Sequence, residues 1–248
     1  MQAIIMAAGK GSRLGALAEG KPKSFLEING IRLIDYNIAL LRHYGVERIT
    51  IVTGCYAEAF EREYANWQGV GLVFNPFYEH ANVLASFWAG MHLLTDDFIF
   101  VHADSLCDPD ILRELIVSPG DVVLPVDFET YDEEAMGVRC ENGKPVEVGK
   151  HIPLDAGETG EFIGYARVSK SLIPPIKGAV IGLLKKKMFT EYFEASLQCL
   201  IDSGMYNIAT FPTNGRFWIE IDFIGDYEKA VREIPSSLDA IATKGRGD

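Results

Sequence analysis

A buried strand that runs straight into a glycine-rich, basic loop is the feature that most limits what this chain can become. Gln2–Met6 is an apolar, β-compatible run. Ala7-Ala8-Gly9-Lys10-Gly11-Ser12-Arg13-Leu14 follows at once, with Gly15, Gly20 and Lys21-Pro22-Lys23 behind it. In open α/β sheets, ligands bind at the carboxyl ends of strands. Glycines let backbone N–H groups approach phosphate oxygens closely. An arginine makes a forked, charge-assisted contact with phosphate and a lysine a point-charge contact. Lys10, Arg13, Lys21 and Lys23 fall within fourteen positions of a chain whose net charge is −12. That local reversal of sign suits a triphosphate. Taken alone, the loop is equally compatible with a flexible turn carrying solvated lysines. Two familiar phosphate loops are excluded. Gly20-Lys21 is followed by Pro22, where a Walker A loop needs Ser or Thr. Leu14 stands where a dinucleotide fingerprint needs its third glycine.

Behind the loop, strand-like and helix-like segments alternate. Ile31–Tyr44, Ala57–Asn66, Val83–Leu94 and Asp108–Val117 read as helices, and Arg48–Thr53, Val70–Phe74, Phe98–Val101 and Asp121–Val126 as strands. This alternation predicts a Rossmann-like, mostly parallel α/β sheet with helices on both faces. The second half differs. Gly137–Cys140, Val146–His151 and Glu161–Val168 are strand-like, and Asn142-Gly143 is a hairpin signal. An antiparallel flap is expected there, then a helical stretch from Lys187 to Ser203, a strand at Ile208–Phe211 and a helix at Tyr227–Glu233. With neither repeats nor a low-complexity linker, 1–248 reads as one domain. Residues 1–126 form a nucleotide-binding half and 127–248 an acceptor-binding half.

Composition removes other classes. The chain has 248 residues, 48% hydrophobic and 23% charged, as expected for a globular domain with a sizeable core. Acids outnumber bases 35 to 23, so nothing draws it to nucleic acid or an anionic membrane. The apolar runs are too short to span a bilayer, and no basic segment precedes the first one. Cys55, Cys107, Cys140 and Cys199 are widely spaced. No disulfide framework or zinc site is expected, and a cytoplasmic location follows. The five histidines show no metal-ligand spacing.

Three carboxylates stand out. Phe98-Ile-Phe-Val-His-Ala-Asp104 is an apolar strand that ends in an acid. Glu220 and Asp222 are two apart, so both face one way on an extended segment. Asp104, Glu220 and Asp222 together offer oxygen ligands for Mg²⁺. Each alone is more often a cap or a solvated turn residue, and Asp226 reads as a helix N-cap. Gly54, at the end of a strand, leaves room for a base near the backbone. For an acceptor, Lys150 is placed to hold a phosphate or phosphonate, Glu161 an aminoalkyl group, and Trp218 a cationic head group. Aromatics are more often core residues, and a lysine such as Lys150 is more often simply solvated.

Met6-Ala-Ala-Gly-Lys-Gly-Ser-Arg-Leu14 with Lys21-Pro-Lys23 resembles the signature of the nucleotidyltransferase superfamily, whose members make sugar-nucleotides and CDP-alcohols. The likeness continues at Asp104, at Glu161-Phe-Ile-Gly164 and at Trp218-Ile-Glu-Ile-Asp222. It is greatest to small bacterial cytidylyltransferases for phosphocholine, aminoalkylphosphonates and inositol phosphate. The resemblance implies the nucleotide-diphospho-sugar transferase fold, with Arg13 and Lys23 as catalytic residues. It implies nucleotide contacts at Ala7, Ala8, Gly9, Gly11, Ser12, Asn82 and Ser86, and Mg²⁺ at Asp104, Glu220 and Asp222. The expected reaction is cytidylyl transfer from CTP to a phosphorylated or phosphonylated small molecule, releasing pyrophosphate. Two alternatives remain open: a sugar-1-phosphate nucleotidyltransferase using UTP or dTTP, and a non-catalytic nucleotide-binding module. Asn82-Val83 stands where close relatives often have two asparagines, and Ala103-Asp104 where many sugar relatives have Gly-Asp.

Overall fold

In the computed structural model, which describes residues 1–132, 135–153 and 155–245, strand β1 (Gln2–Ala7) is buried along its whole length. Successive side chains of a strand point to opposite faces, and β1 divides accordingly. Ala3, Ile5 and Ala7 belong to one apolar core and Ile4 and Met6 to another. One sheet between two helical layers follows from that division. After β1 come a short hairpin, β2 (Glu27–Ile28) with β3 (Ile31–Arg32), then α1 (Leu33–His43), β4 (Arg48–Thr53), α2 (Ala57–Tyr64), β5 (Val70–Phe74), α3 (Val83–Gly90) and β6 (Phe98–His102). The chain continues through β7 (Ser105–Cys107), α4 (Pro109–Val117), β8 (Val122–Asp127), β9 (Met136–Glu141), β10 (Lys144–Lys150), β11 (Glu158–Phe162) and β12 (Tyr165–Val168). It closes with α5 (Ile173–Lys185), α6 (Glu194–Ser203), β13 (Ile208–Pro212), β14 (Trp218–Glu220), α7 (Ile224–Glu233) and α8 (Ser236–Lys244).

The main sheet runs in the order β10-β9-β11-β8-β12-β6-β1-β4-β5, with β13 on the other edge of β8. β6, β1, β4 and β5 are mutually parallel. β12 lies antiparallel between β6 and β8, while β9, β10 and β11 form the antiparallel flap. The Asn142-Gly143 turn joins β9 to β10 with both residues at positive φ, the geometry of a type I′ hairpin. Helices α1, α4 and α8 cover the face bearing Ile5, and α3, α5 and α6 the face bearing Ile4. The sheet is thus mixed at its flap end and parallel at its nucleotide end.

Three expectations need correction. The helix expected over Lys187–Ser203 forms only over Glu194–Ser203, because Lys187 adopts a left-handed conformation (φ 64°). A helix over Ile173–Lys185 was not anticipated. Pro174 and Pro175 fall in its first turn, where proline is tolerated because those N–H groups have no helical partner. The strand expected over Glu161–Val168 is two strands broken at Ile163-Gly164. Both pair with β8, but the residue-number sum of paired positions rises by two across the break. Gly164 has φ +85°, and a Cβ there would lie 2.5 Å from Ser105 Oγ, so only glycine fits.

Candidate active site

The loop after β1 packs on Lys23. Gly11 takes φ +65°, and a Cβ on it would lie 2.7 Å from Lys23 Cβ. A Cβ on Gly9 would meet nothing within 4 Å, so the loop leaves open space beside its backbone. Ala7, Gly9, Gly11, Arg13, Lys23, Asn82, Asp104 and Asp222 line one cleft of about 420 Å³ at the carboxyl end of β1. The side chain of Ser12 lies outside the described residues.

The carboxylates arrive from two other places. Asp104 sits in the turn after β6. That turn is fixed by Ala103 N–H donating to Met6 O (3.2 Å) and Ile221 N–H donating to Asp104 O (3.0 Å). Buried Asn37 of α1 and Tyr165 of β12 both donate to Ser105 O, at 3.0 and 2.9 Å. β14 pairs antiparallel with β7, placing Glu220 opposite Ser105. Asp222 follows two residues on. The Asp226 carboxylate accepts from Asp222 N–H (3.0 Å) and Phe223 N–H (2.7 Å). Asp226 is therefore a capping residue, as its position before a helix suggests.

Lys23 joins the two halves. Its Nζ donates to Asp104 Oδ2 at 2.7 Å and to Asp222 Oδ1 at 2.6 Å. Burial opposes the lysine's charge, but the two carboxylates outweigh it and hold the pKa above its ordinary value. Burial likewise opposes ionisation of Asp104, and Lys23 and His102 overcome it, so its pKa falls. Arg13 Nη1 donates to Asp222 Oδ2 at 3.2 Å from an exposed position.

His102 was missed in the sequence. It is largely buried, with a side chain 12% exposed, Nδ1 3.7 Å from Glu220 Oε1 and Nε2 3.6 Å from Glu194 Oε1. Burial disfavours its charge, yet Glu220, Glu194 and Asp104 lift the imidazole to about 9. One atom each from His102, Asp104 and Glu220 lies within 4.8 Å of the others. Two carboxylates and an imidazole suit a divalent cation, so the residues present fit a metal. Asp222 is outside that trio and engages the two cations. The detectable signal was His102-x-Asp104, a same-side pair at a strand end; its partner lies more than a hundred residues away.

The remaining residues divide between nucleotide and acceptor sides. Ala8, Asn82, Ser86, His102, Asp104, Lys150 and Glu220 line a second recess of about 300 Å³. Asn82 caps α3, accepting from Val83 N–H at 2.9 Å, and its Nδ2 donates to Thr190 O at 3.2 Å. Buried Ser86 accepts from Asn75 Nδ2 at 3.0 Å. A Cβ on Gly54 would be 2.7 Å from Ala8 O and 2.5 Å from Tyr78 Cβ, so packing already accounts for the glycine. Lys150, Glu161, Trp218 and Glu220 line a larger cavity of about 1250 Å³. Trp218 Nε1 donates to Asp127 Oδ2 at 2.8 Å. Burial and the nearby Glu220 and Asp127 push the Glu161 carboxyl up to about 7. Cys107, buried and pushed up to about 12, is a packing residue and no nucleophile.

This arrangement has counterparts among known proteins. A CTP:phosphoglutamine cytidylyltransferase of Campylobacter jejuni is 27% identical over 257 aligned residues, covering 94% of this chain and 100% of that one. A bifunctional IPC transferase and DIPP synthase of Rubrobacter xylanophilus is 35% identical over 164 residues, covering 62% of this chain but 37% of the longer relative. Among solved structures, the CTP:phosphocholine cytidylyltransferase from Streptococcus pneumoniae superposes with a TM-score of 0.76 at 21% identity, covering 93% of this chain and 97% of that one. At that identity the likeness is one of fold. The family model of the MobA-like NTP transferase domain matches residues 3–185, which spans the glycine-rich loop, Lys23 and Asp104. The chain belongs to the MobA-like NTP transferase domain family of nucleotidyl-transferring enzymes.

Proposed function

We propose that this protein transfers the cytidylyl group of CTP to an ionised oxygen of a phosphorylated or phosphonylated small molecule. The observation that carries the reading is the meeting of Arg13 and Lys23 with Asp104 and Asp222 at the carboxyl edge of the parallel strands, with Glu220 beside Asp104. That cleft adjoins a cavity large enough for a second substrate. The named activity of the Campylobacter relative, aligned over nearly the whole chain, supports CTP as donor.

In this reading the acceptor oxygen attacks the α-phosphorus. One P–O bond forms, the bond to the β-phosphate breaks, and pyrophosphate leaves in line. No general base is needed, since the second pKa of a phosphate monoester is about 6. Arg13 and Lys23 exchange carboxylate partners for phosphate oxygens and neutralise charge as it develops. The backbone around Gly9 and Gly11 lets the phosphates lie close. Asp104, Glu220 and Asp222, with His102 beside them, would hold Mg²⁺. When bound, the ion supplies charge neutralisation at the α-phosphate. Asn82 and Ser86 lie on the wall where a base edge would be read.

The test is pyrophosphate release with Mg²⁺ for CTP, UTP, dTTP, ATP and GTP, each with a panel of phosphorylated, phosphonylated and sugar-1-phosphate acceptors. Release confined to CTP and a non-sugar acceptor is expected. Release with UTP or dTTP and a sugar phosphate would replace this reading with a sugar-nucleotide one.

A further inference from the structure

Cytidylyl transfer gives Glu194 no role and leaves His102 only a place beside the metal carboxylates. The two side chains face each other. Glu194, at the start of α6, is 1% exposed, and both its carboxylate oxygens are buried without a hydrogen-bond partner. His102 Nε2, 3.6 Å from Glu194 Oε1, is likewise buried without one. An imidazole nitrogen and its acceptor thus stand just beyond the roughly 2.7–3.2 Å of a hydrogen bond. Lys150 also acts on Glu194 electrostatically, without closing a hydrogen bond to it.

The imidazole is held in its orientation. His102 N–H donates to Gly164 O at 2.9 Å. Phe100 and Phe162 meet the ring edge-on, with centroids 5.2 and 6.0 Å away. The other nitrogen, Nδ1, is turned toward Glu220, 3.7 Å from its Oε1. His102, Asp104 and Glu220 line the same recess, and one ligand atom from each lies within 4.8 Å of the others. Two ligands about 2.1 Å from one ion stand about 3 to 4 Å apart, so Nδ1 and Glu220 Oε1 are already at ligand spacing.

A histidine that binds a metal through one nitrogen donates its other N–H to a carboxylate, which fixes the tautomer and raises the basicity of the ligand. His102 has both sides of that arrangement. Nδ1 faces the carboxylates that would share the ion, and Nε2 faces an acceptor with no other donor. On metal binding the Nδ1 proton of the imidazolium leaves, and Nε2–H is retained for Glu194. A nitrogen ligand also changes which ion fits. Carboxylate oxygens suit Mg²⁺, whereas imidazole favours first-row transition ions.

We propose that His102 is a direct nitrogen ligand of the divalent cation through Nδ1, with Glu194 as the positioning residue behind it, and that this pair biases the site toward ions such as Mn²⁺ and Co²⁺ over Mg²⁺. The inference rests on the metal-assisted part of the transfer reading and not on the identity of nucleotide or acceptor.

The experiment uses nucleotide-free protein. Pulsed EPR of bound Mn²⁺ should show nitrogen hyperfine coupling that changes when the histidines carry nitrogen-15. His102→Gln should abolish the coupling, which separates His102 from His151 in the adjoining cavity. Calorimetry should show Co²⁺ binding weakened by about 10- to 100-fold in Glu194→Gln, and by at least as much in His102→Gln, with Mg²⁺ affinity nearly unchanged. The Co²⁺-to-Mg²⁺ ratio therefore narrows in both variants. A merely structural Glu194 would weaken both ions alike and leave the ratio in place. The wild-type spectrum needs no variant, so it decides the ligand even if a variant fails to fold. Bound Mn²⁺ without histidine nitrogen coupling would overturn the proposal and leave an all-oxygen site with cytidylyl transfer intact. A ratio unmoved in both variants would overturn the pair's part in ion choice, and no Mn²⁺ binding at all would overturn the whole proposal. Pyrophosphate release from CTP, assayed in parallel, reports the transfer reading separately: its failure beside an intact nitrogen coupling would overturn that reading and not this one.

Discussion

Replacing Lys23 by Met tests how the cleft balances its own charges. The variant keeps the aliphatic stem against which Gly11 packs and removes the ammonium that lies 2.7 Å from Asp104 and 2.6 Å from Asp222. Removing one partner of a fully buried ion pair costs about 3–5 kcal/mol. Here Asp104 and Asp222 are 26% and 36% exposed, so water recovers part of the loss, and about 2 kcal/mol of stability should disappear. The same ammonium competes with a divalent cation for those carboxylates. Its removal should therefore tighten Mn²⁺ binding to the nucleotide-free protein by about 10-fold or more, since 1.4 kcal/mol is tenfold. Turnover should still fall by about 10²-fold or more, as it does when one transition-state donor is removed. Urea unfolding, calorimetric Mn²⁺ titration and pyrophosphate release read the three effects separately. Unchanged or weaker Mn²⁺ affinity would refute the competition, and near-normal turnover would refute the phosphate role of Lys23.

Three further outcomes follow from particular contacts. Gly11→Ala forces a side chain into φ +65° and onto Lys23 Cβ; it should cost about 1–2 kcal/mol in thermal unfolding and weaken CTP binding by calorimetry. Asp226→Ala removes the acceptor of two backbone N–H groups at Asp222 and Phe223; a loss of about 1 kcal/mol is expected, together with weaker Mn²⁺ binding because Asp222 is no longer fixed. In metal-free protein, His102 titrates near 9 against an ordinary 6.5, so its stabilisation is complete below pH ~6.5 and is lost as pH rises through about 9. Comparing His102→Gln with wild type by urea unfolding from pH 6 to 10 should show an advantage of about 3 kcal/mol for wild type that vanishes across that window.

The nucleotide half was readable because each cue there is local. Gln2–Ala7 is apolar, its glycines follow directly, and the alternation of strand and helix out to Val126 repeats a single building rule. The fold family was accessible from that rule and from the loop's resemblance, and the resemblance also named Lys23, Asp104, Glu220 and Asp222, though not the ion pairs that join Lys23 to Asp104 and Asp222. The second half was harder for physical reasons. Pro174-Pro175 punctuates the chain as a turn would, yet here it opens helix α5. Gly164 breaks a strand through a contact with Ser105 that no local pattern records. Glu220 was named from the sequence, but the pairing of short β7 and β14 across more than a hundred residues, which carries it to the site, was not. His102 and Glu194 acquire meaning only through each other, Glu220 and Asp104. Glu194 has no partner at motif spacing, and His102 has only Asp104.

The measurement that bears most directly on the central claim is the fate of labelled phosphorus from CTP. With Mg²⁺ and a phosphonate acceptor, label at the α-position should appear in a CMP-acceptor product, and label at the γ-position should appear only in pyrophosphate. Gamma label in the acceptor would mean attack at the terminal phosphate. CTP binding with no transfer of either label would mean a binding module. Either result would contradict attack at the α-phosphorus.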